Sequence, residues 1–161
     1  QELAHPELDR GASRAQSVGL PLGTQGPAAA LQTLDGEPVN LAHYVGKGPV
    51  LLEFWATWCE QCAELEPALI AAHTKYRDQV RFLAVAVSLN QSPARVRAHV
   101  ERHKLPVEVL WDADGKAADA YRAPTTSYIV VLDKSGKVVY TGAGGKQNLD
   151  AAIQKALAPS D

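Results

Sequence analysis

The sequence of 161 residues predicts an α/β fold in which helices flank a mixed central sheet. Residues 49–54 (PVLLEF) and 80–87 (VRFLAVAV) are mostly apolar runs, which are typical of strands buried on both faces. A helical pattern between these runs indicates a β–α–β unit with parallel strands. The strands predicted at residues 127–132 and 137–141 are antiparallel, because only the tight turn at residues 133–136 separates them.

The remaining elements follow from turn and cap signals. The dipeptide Asp35-Gly36 lies between two short alternating runs and predicts a hairpin. Apolar residues at helical spacing predict a helix from near Cys59 to about Arg77. Ser92 is the expected N-cap of a second helix that runs to about Lys104. We also expect a short strand near 107–110, a short helix near 116–121 and a final amphipathic helix over 149–157.

Composition indicates one globular domain. The formal net charge is −2 and no cluster of Lys and Arg follows one stretch, so a nucleic-acid-binding protein is disfavoured. Residues 1–26 contain Gly and Pro but little periodicity, and we expect a tail or linker there, with the domain at residues 27–161. Since Met is absent throughout, we expect a processed chain that has lost a signal peptide or membrane anchor.

The main chemical signal is the pair Cys59 and Cys62, the only two cysteines in the chain. Two cysteines supply only half of the roughly four ligands that a structural zinc ion needs. On the first turn of a helix after a buried strand, this spacing brings the two sulfurs within bonding distance. The helix N-terminus stabilises the thiolate of Cys59, which we expect to be the exposed nucleophile. Cys62, one turn deeper in the helix, is expected to resolve the mixed disulfide. The alternative is two inert buried thiols or half of a zinc site.

Glu53 is an acid within an otherwise apolar predicted strand. Burial of a carboxyl group raises its pKa. Such a group can accept the proton of Cys62 as that thiol attacks the mixed disulfide. The alternatives are a position on a solvated edge and a buried ion pair.

Two further residues are candidates for contact with a substrate. Trp58 precedes Cys59 and is expected on the contact surface. Pro124 lies just before the predicted strand 127–132, where the residues alone favour an edge or turn proline. The alternative is a cis peptide that leaves the backbone of Ala123 free to pair with a substrate strand.

These motifs resemble the thioredoxin superfamily, and within it the TlpA/ResA-type extracytoplasmic oxidoreductases. The segments that carry the resemblance are LLEFWATWCEQC, Pro67 five residues after Cys62, and APTTSYIVVLDKSGKVVYTG, within a match over roughly residues 27–158. The resemblance implies a thioredoxin fold with an N-terminal β-hairpin and an insert after the second core strand. It also implies disulfide-containing protein substrates, a membrane thiol-transfer protein as electron donor, an extracytoplasmic location and no bound cofactor.

The resemblance assigns roles to individual residues. It implies that Cys59 is the nucleophile, that Glu53 matches thioredoxin's buried acid and that Pro124 is a cis-proline opposite the disulfide. It also places the expected substrate contacts at Trp58, Glu60, Gln61, Ala123 and Pro124. A carboxylate at Glu60 disfavours the neighbouring thiolate, and this favours a reductant over a strong oxidant.

The leading hypothesis is therefore a reductant of disulfides in extracytoplasmic proteins, such as apocytochrome c. A disulfide oxidase or isomerase and a non-catalytic binding module are the alternatives, and a peroxidase is less favoured. His99 and His103 are four residues apart, but Val100 stands where a metalloprotease motif requires Glu. We expect this histidine pair on a solvated flank and assign no metal site.

Overall fold

A computed structural model describes residues 19–159 of the chain. Within these residues the strands are β1 (Ala30–Thr33), β2 (Pro38–Asn40), β3 (Val50–Trp55), β4 (Arg81–Val87), β5 (Glu108–Asp112), β6 (Tyr128–Leu132) and β7 (Val138–Ala143). The α-helices are α1 (Glu60–Tyr76), α2 (Pro93–His103), α3 (Lys116–Ala120) and α4 (Leu149–Leu157), and residues Leu41–His43 form a 3-10 helix. The predicted hairpin, strands and helices are all present, with ends that differ by one or two residues.

The strands form one mixed sheet in the order β2-β1-β5-β4-β3-β6-β7. β3 lies between β4, to which it is parallel, and β6, to which it is antiparallel. All six residues of β3 are buried, which explains why the strand reads as an almost continuous apolar run. The predicted hairpin of β1 and β2 joins the sheet through β5. The predicted α/β fold is confirmed.

Alternating side chains of β3 face two separate apolar layers. Leu51 and Trp55 belong to the layer that α1, α2 and α4 cover, together with both cysteines. Leu52 and Phe54 belong to the opposite layer. Because side chains along a strand alternate, Glu53 points to the same face as Leu51 and Trp55, toward α1. The strand therefore directs this one acid toward the helix that carries the cysteines.

Residues 19–26 pack against β7, although we expected them in a tail. Leu20 is buried, the Gly23 N–H donates to the Val138 carbonyl oxygen at 2.8 Å, and the Val138 N–H donates to the Thr24 carbonyl oxygen at 2.9 Å. The packed body thus begins before the expected boundary at residue 27. Backbone pairing of this kind leaves no apolar periodicity for a sequence analysis to detect. Residues 1–18 of the expected tail lie outside the described residues.

Among residues 19–159, no helix is both long enough and apolar enough to cross a membrane.

Gly136, in the turn between β6 and β7, tests whether the segment before residue 27 belongs to the fold. Its φ is +94°, and an added Cβ would lie 2.5 Å from Gln25 Nε2 and 2.6 Å from Val45 Cγ1. Gly36 has a φ of +91° but no atom within 4 Å of an added Cβ. We expect Gly36→Ala to lower the free energy of unfolding by about 1 kcal/mol and Gly136→Ala to lower it by about 2–4 kcal/mol.

Urea unfolding of the two variants measures this difference. If both variants lose the same free energy of unfolding, the contacts of the turn with Gln25 and Val45 do not contribute to stability.

Candidate active site

The end of β3 and the start of α1 position the two cysteines. The chain turns after Trp55, and Cys59 is the N-cap of α1, where its Sγ accepts a hydrogen bond from the Cys62 N–H at 3.0 Å. Cys59 and Cys62 are joined by a disulfide, and their Cα atoms are 5.2 Å apart. The predicted helix start and the predicted proximity of the sulfurs are confirmed. A thiolate on Cys59 would lie at the positive end of the helix dipole.

Exposure does not distinguish the two cysteines. Each residue is 7% exposed, so the expectation of an exposed Cys59 is wrong for this oxidised state. The disulfide turns the Cys59 sulfur toward Cys62, and both residues pack in the same apolar layer as Trp55. The exposed apolar group at this site is instead Trp58, at 46%.

Behind the disulfide lies a small cavity that Glu53 and Cys62 share. Its volume is about 20 Å³, which is room for about one water molecule. Cys59, Thr57, Glu66 and His99 also line it, together with apolar residues, and within residues 19–159 no Lys or Arg does. The structure therefore brings Glu53 and the resolving cysteine to one small cavity, as the proposed proton transfer requires.

Glu53 is buried without a compensating partner. It is 5% exposed, and within residues 19–159 its side chain makes no ion pair. Burial, and secondly the negative charge of Glu66, raise the pKa of Glu53 from 4.5 to about 8. This confirms the predicted upward shift, and it contradicts both alternatives, a solvated edge and a buried ion pair.

Glu66 connects this cavity to the two histidines of α2. A Glu66 carboxylate oxygen lies 3.1 Å from His103 Nδ1, and the other lies 4.0 Å from His99 Nε2. His99 also packs against the Trp55 ring, with 5.4 Å between the ring centroids. Only 13% of its side chain is exposed, so the expectation of a solvated flank is wrong for His99. Desolvation, followed by the neighbouring charge of His103, lowers the pKa of His99.

Within the described residues, one cluster has donor atoms suited to a metal ion. It consists of Glu66, His99 and His103, whose potential ligand atoms all lie within 4.8 Å of one another. The two imidazole rings are stacked, however, at 3.9 Å between centroids and 13° between planes. A metal ion must lie in the plane of each imidazole that binds it, about 2.0 Å from nitrogen. Two nearly parallel, separated planes do not share such a point, and we therefore describe a hydrogen-bonded cluster and assign no metal.

On the other side of Trp58, an open groove of about 570 Å³ runs along the surface. Trp58, Ala123 and Pro124, all predicted substrate contacts, line it together with Leu89. The indole N–H of Trp58 donates to the Leu89 carbonyl oxygen at 2.8 Å and holds the ring at the groove edge. The other two predicted contacts, Glu60 and Gln61, are exposed on the first turn of α1 and do not line the groove.

The structure corrects the expected conformation of Pro124. Its peptide bond is trans, as are all others among residues 19–159, and it lies four residues before β6 begins at Tyr128. Arg122 adopts a left-handed conformation (φ +52°) directly after α3, and the Ala123 N–H donates to the Ala118 carbonyl oxygen at 2.9 Å. This turn uses the backbone N–H of Ala123 that we expected to be free for a substrate.

Ser127 occupies the strand entrance instead, and the sequence analysis missed it. It is fully buried and left-handed (φ +62°). Its N–H donates to the Phe54 carbonyl oxygen at 2.7 Å, and its hydroxyl donates to the Gly144 carbonyl oxygen at 3.0 Å. A proline has neither this φ nor an N–H to donate. No local pattern signals this role, because the partners of Ser127 are distant in the sequence.

Comparison with known proteins places the chain in a family. Residues 22–141 match the AhpC/TSA family. The chain belongs to this family. It is 33% identical over 141 residues to the thioredoxin-like protein YneN of Bacillus subtilis (strain 168), covering 86% of this chain and 82% of that protein. It is 30% identical over 142 residues to the thiol-disulfide oxidoreductase ResA of Geobacillus thermodenitrificans (strain NG80-2), covering 86% and 80%.

Solved structures agree. The solution structure of a putative thioredoxin from Neisseria meningitidis has a TM-score of 0.72 at 29% identity, and the match covers 84% of this chain and 91% of that one. A putative thiol:disulfide interchange protein DsbE from Chlorobium tepidum has a TM-score of 0.71 at 24% identity, over 86% and 99%, and supports the fold. The resemblance stated from the motifs is confirmed, and the chain is a thiol–disulfide oxidoreductase with the thioredoxin fold.

The unpaired Glu53 makes the stability of this oxidoreductase depend on pH. The pKa of Glu53 is about 8 when folded and near 4.5 otherwise, so between these values the folded state holds a proton that the unfolded state has released. The stabilising contribution is complete below about pH 4.5 and is lost as pH rises through 8, with a limiting slope of about 1.4 kcal/mol per pH unit.

Glu53→Gln removes this titration. Urea unfolding of the oxidised protein from pH 5 to 8 is expected to show a steeper loss of stability in the wild type than in the variant. Parallel curves would mean that Glu53 is ionised in the folded protein at neutral pH.

Proposed function

We propose that this oxidoreductase reduces disulfides in proteins outside the cytoplasm. The observation that carries the proposal is the charge around Cys59 and Cys62. Carboxyl groups from β3 and α1 lie beside the pair, and within residues 19–159 no Lys or Arg lines either the cavity or the neighbouring groove.

The direction of electron flow follows from this charge distribution. Glu53 is mostly neutral at pH 7, since its pKa is about 8. The other carboxyl groups are Glu66 in the cavity, Glu60 on the first helical turn, and Asp114 and Asp119 in the groove. Negative charge disfavours a neighbouring thiolate. Strong oxidants of this fold are oxidising because their reduced form is stabilised. Here the surrounding charges do not stabilise the Cys59 thiolate, so the disulfide form is favoured. The reduced protein therefore transfers its electrons readily to a substrate disulfide.

The first step is attack by Cys59. Its thiolate attacks one sulfur of the substrate disulfide, a bond forms between these two sulfurs, and the other substrate sulfur leaves as a thiolate that takes a proton from solvent. The helix N-terminus and the Cys62 N–H stabilise the Cys59 thiolate enough for attack.

The second step releases the substrate. The Cys62 thiol gives its proton to ionised Glu53 across the shared cavity, and the resulting thiolate attacks the Cys59 sulfur. The Cys59–Cys62 bond forms, the second substrate sulfur leaves, and two electrons have passed to the substrate. A pKa of about 8 allows Glu53 to take up and return a proton near neutral pH. Because the two sulfurs carry both electrons, the cycle requires no bound cofactor.

The groove supplies the docking surface for the substrate. Trp58 and Leu89 are 46% and 66% exposed, and they flank one side of the groove while Ala123 and Pro124 line it too. Exposed apolar groups of this size are typical of interaction surfaces. An extended apolar segment next to the substrate cysteine fits this shape.

The partners and location that we propose rest on the relatives. The family resemblance to TlpA/ResA-type proteins supports an extracytoplasmic protein that a membrane thiol-transfer donor reduces again. Apocytochrome c is a substrate of the kind that this resemblance implies. Relatives named ResA support the same assignment.

Cysteine variants test the assignment of the two thiols. We expect the reduced wild-type protein to reduce insulin in a turbidity assay, and Cys59→Ser to lose this activity. Cys62→Ser leaves the nucleophile without its resolving partner, so it is expected to accumulate a mixed disulfide that mass spectrometry detects.

Each variant controls the other, because both remove one sulfur of the same disulfide. Retained activity in Cys59→Ser, or a mixed disulfide that accumulates in Cys59→Ser but not in Cys62→Ser, would refute the assignment of Cys59 as nucleophile and Cys62 as resolving thiol.

A further inference from the structure

We infer that Glu66, His99 and His103 form a proton path that connects the cavity behind Cys62 with solvent. The inference rests on the proposed function, in which Glu53 takes a proton from Cys62 in each cycle. The path assigns positioning and proton-transfer roles to residues outside the cysteine motif.

The need for a path follows from the burial of Glu53. Glu53 must lose a proton before it can accept that of Cys62, because its pKa of about 8 keeps it mostly protonated at neutral pH. Yet Glu53 is only 5% exposed and borders a small cavity of about 20 Å³. Proton transfer requires groups within hydrogen-bond reach, directly or through one water molecule. A cavity of this size holds about one water molecule, and a titratable group on its wall provides the next site for the proton.

Glu66 is that group. It lines the same cavity as Glu53, and its negative charge is one of the two causes of the raised pKa of Glu53, which shows that the two carboxyl groups interact. On its other side, Glu66 lies 3.1 Å from His103 Nδ1. Side-chain exposure is 20% for Glu66 and 35% for His103. The groups thus become more exposed in the order in which a proton would pass.

His99 packs between the other parts of the cluster. Its ring stacks on His103 at 3.9 Å between centroids and packs against Trp55, and these contacts orient the His99 imidazole. His99 Nε2 lies 4.0 Å from the second carboxylate oxygen of Glu66. The cluster is therefore a positioned acid–base chain between α1 and α2.

The charged and titratable groups that face the cluster come from three elements. They are Glu53 from β3, Cys62 and Glu66 from α1, and His99, Arg102 and His103 from α2. Thr57 adds a hydroxyl group to the cavity wall, and the other walls are apolar: β4 contributes Ala84, and the segment before β5 contributes Leu105 and Val107. Within this cluster, His103 is the group that reaches solvent most fully.

The proton balance of one cycle is simple. Cys62 transfers one proton to Glu53, Glu53 transfers it to the Glu66 carboxylate, and Glu66 passes it to the neutral imidazole of His103, which releases it to water. Each group returns to its starting state, and no electrons move along the path.

The rate of substrate release from a preformed mixed disulfide tests the path. We expect Glu66→Gln and His103→Gln to slow release at least about tenfold, since acid–base assistance is lost. We also expect the rate of release in these variants to increase with buffer concentration. Added imidazole is expected to restore the rate of release in His103→Ala. Glu64→Gln is the matched control, because it removes the same charge from an exposed position on α1 that does not line the cavity.

Glu53→Gln separates failure of the path from failure of the proposed function. Slow release in Glu53→Gln with wild-type rates in Glu66→Gln and His103→Gln would overturn the path alone. An unchanged rate of substrate release in Glu53→Gln would show that Glu53 is not the proton acceptor, and the mechanism under Proposed function would then be wrong as well. If the Glu66 and His103 variants release substrate slowly and added buffer base does not restore the rate, the two residues have a purely structural role. This result would also overturn the path.

Discussion

The redox site is built around an unfavourable feature, a carboxyl group without a cation at the centre of the sheet. β3 has neighbours on both edges and helices on its face, so Glu53 is removed from water on all sides except the small cavity behind Cys62. The cost of an ionised carboxylate there keeps Glu53 protonated to an unusually high pH. The position of one side chain in the strand thus determines the proton chemistry of the site.

Two different environments lie near the disulfide. The small cavity that both cysteines line also contains the carboxyl groups of Glu53 and Glu66, which can take up and release protons. The open groove lies beside Trp58, next to Cys59 in the chain, and has the size to hold a polypeptide segment. The same short turn from β3 into α1 forms the boundary between them. A polypeptide bound in the groove at Trp58 would thus leave the contact between Cys62 and the cavity of Glu53 unchanged.

The features that could be predicted from the sequence are those that depend on residues close together in the chain. Apolar runs, a Ser N-cap and the Asp35-Gly36 turn identified the elements, and the isolated acid in an apolar strand identified Glu53 and its raised pKa. The remainder depended on contacts between distant residues. Ser127 is defined by Phe54 and Gly144, His99 by Trp55 and Glu66, and the trans arrangement at Pro124 by the turn after α3. No window of sequence contains these pairs.

The reduction potential of the Cys59–Cys62 pair shows whether the neighbouring carboxyl groups make this protein a reductant. Equilibration with glutathione or dithiothreitol buffers at pH 7, followed by quantification of the two redox forms, measures this potential. We expect a value near or below that of thioredoxin, about −270 mV. A value close to that of a strong oxidant, about −120 mV, would contradict it.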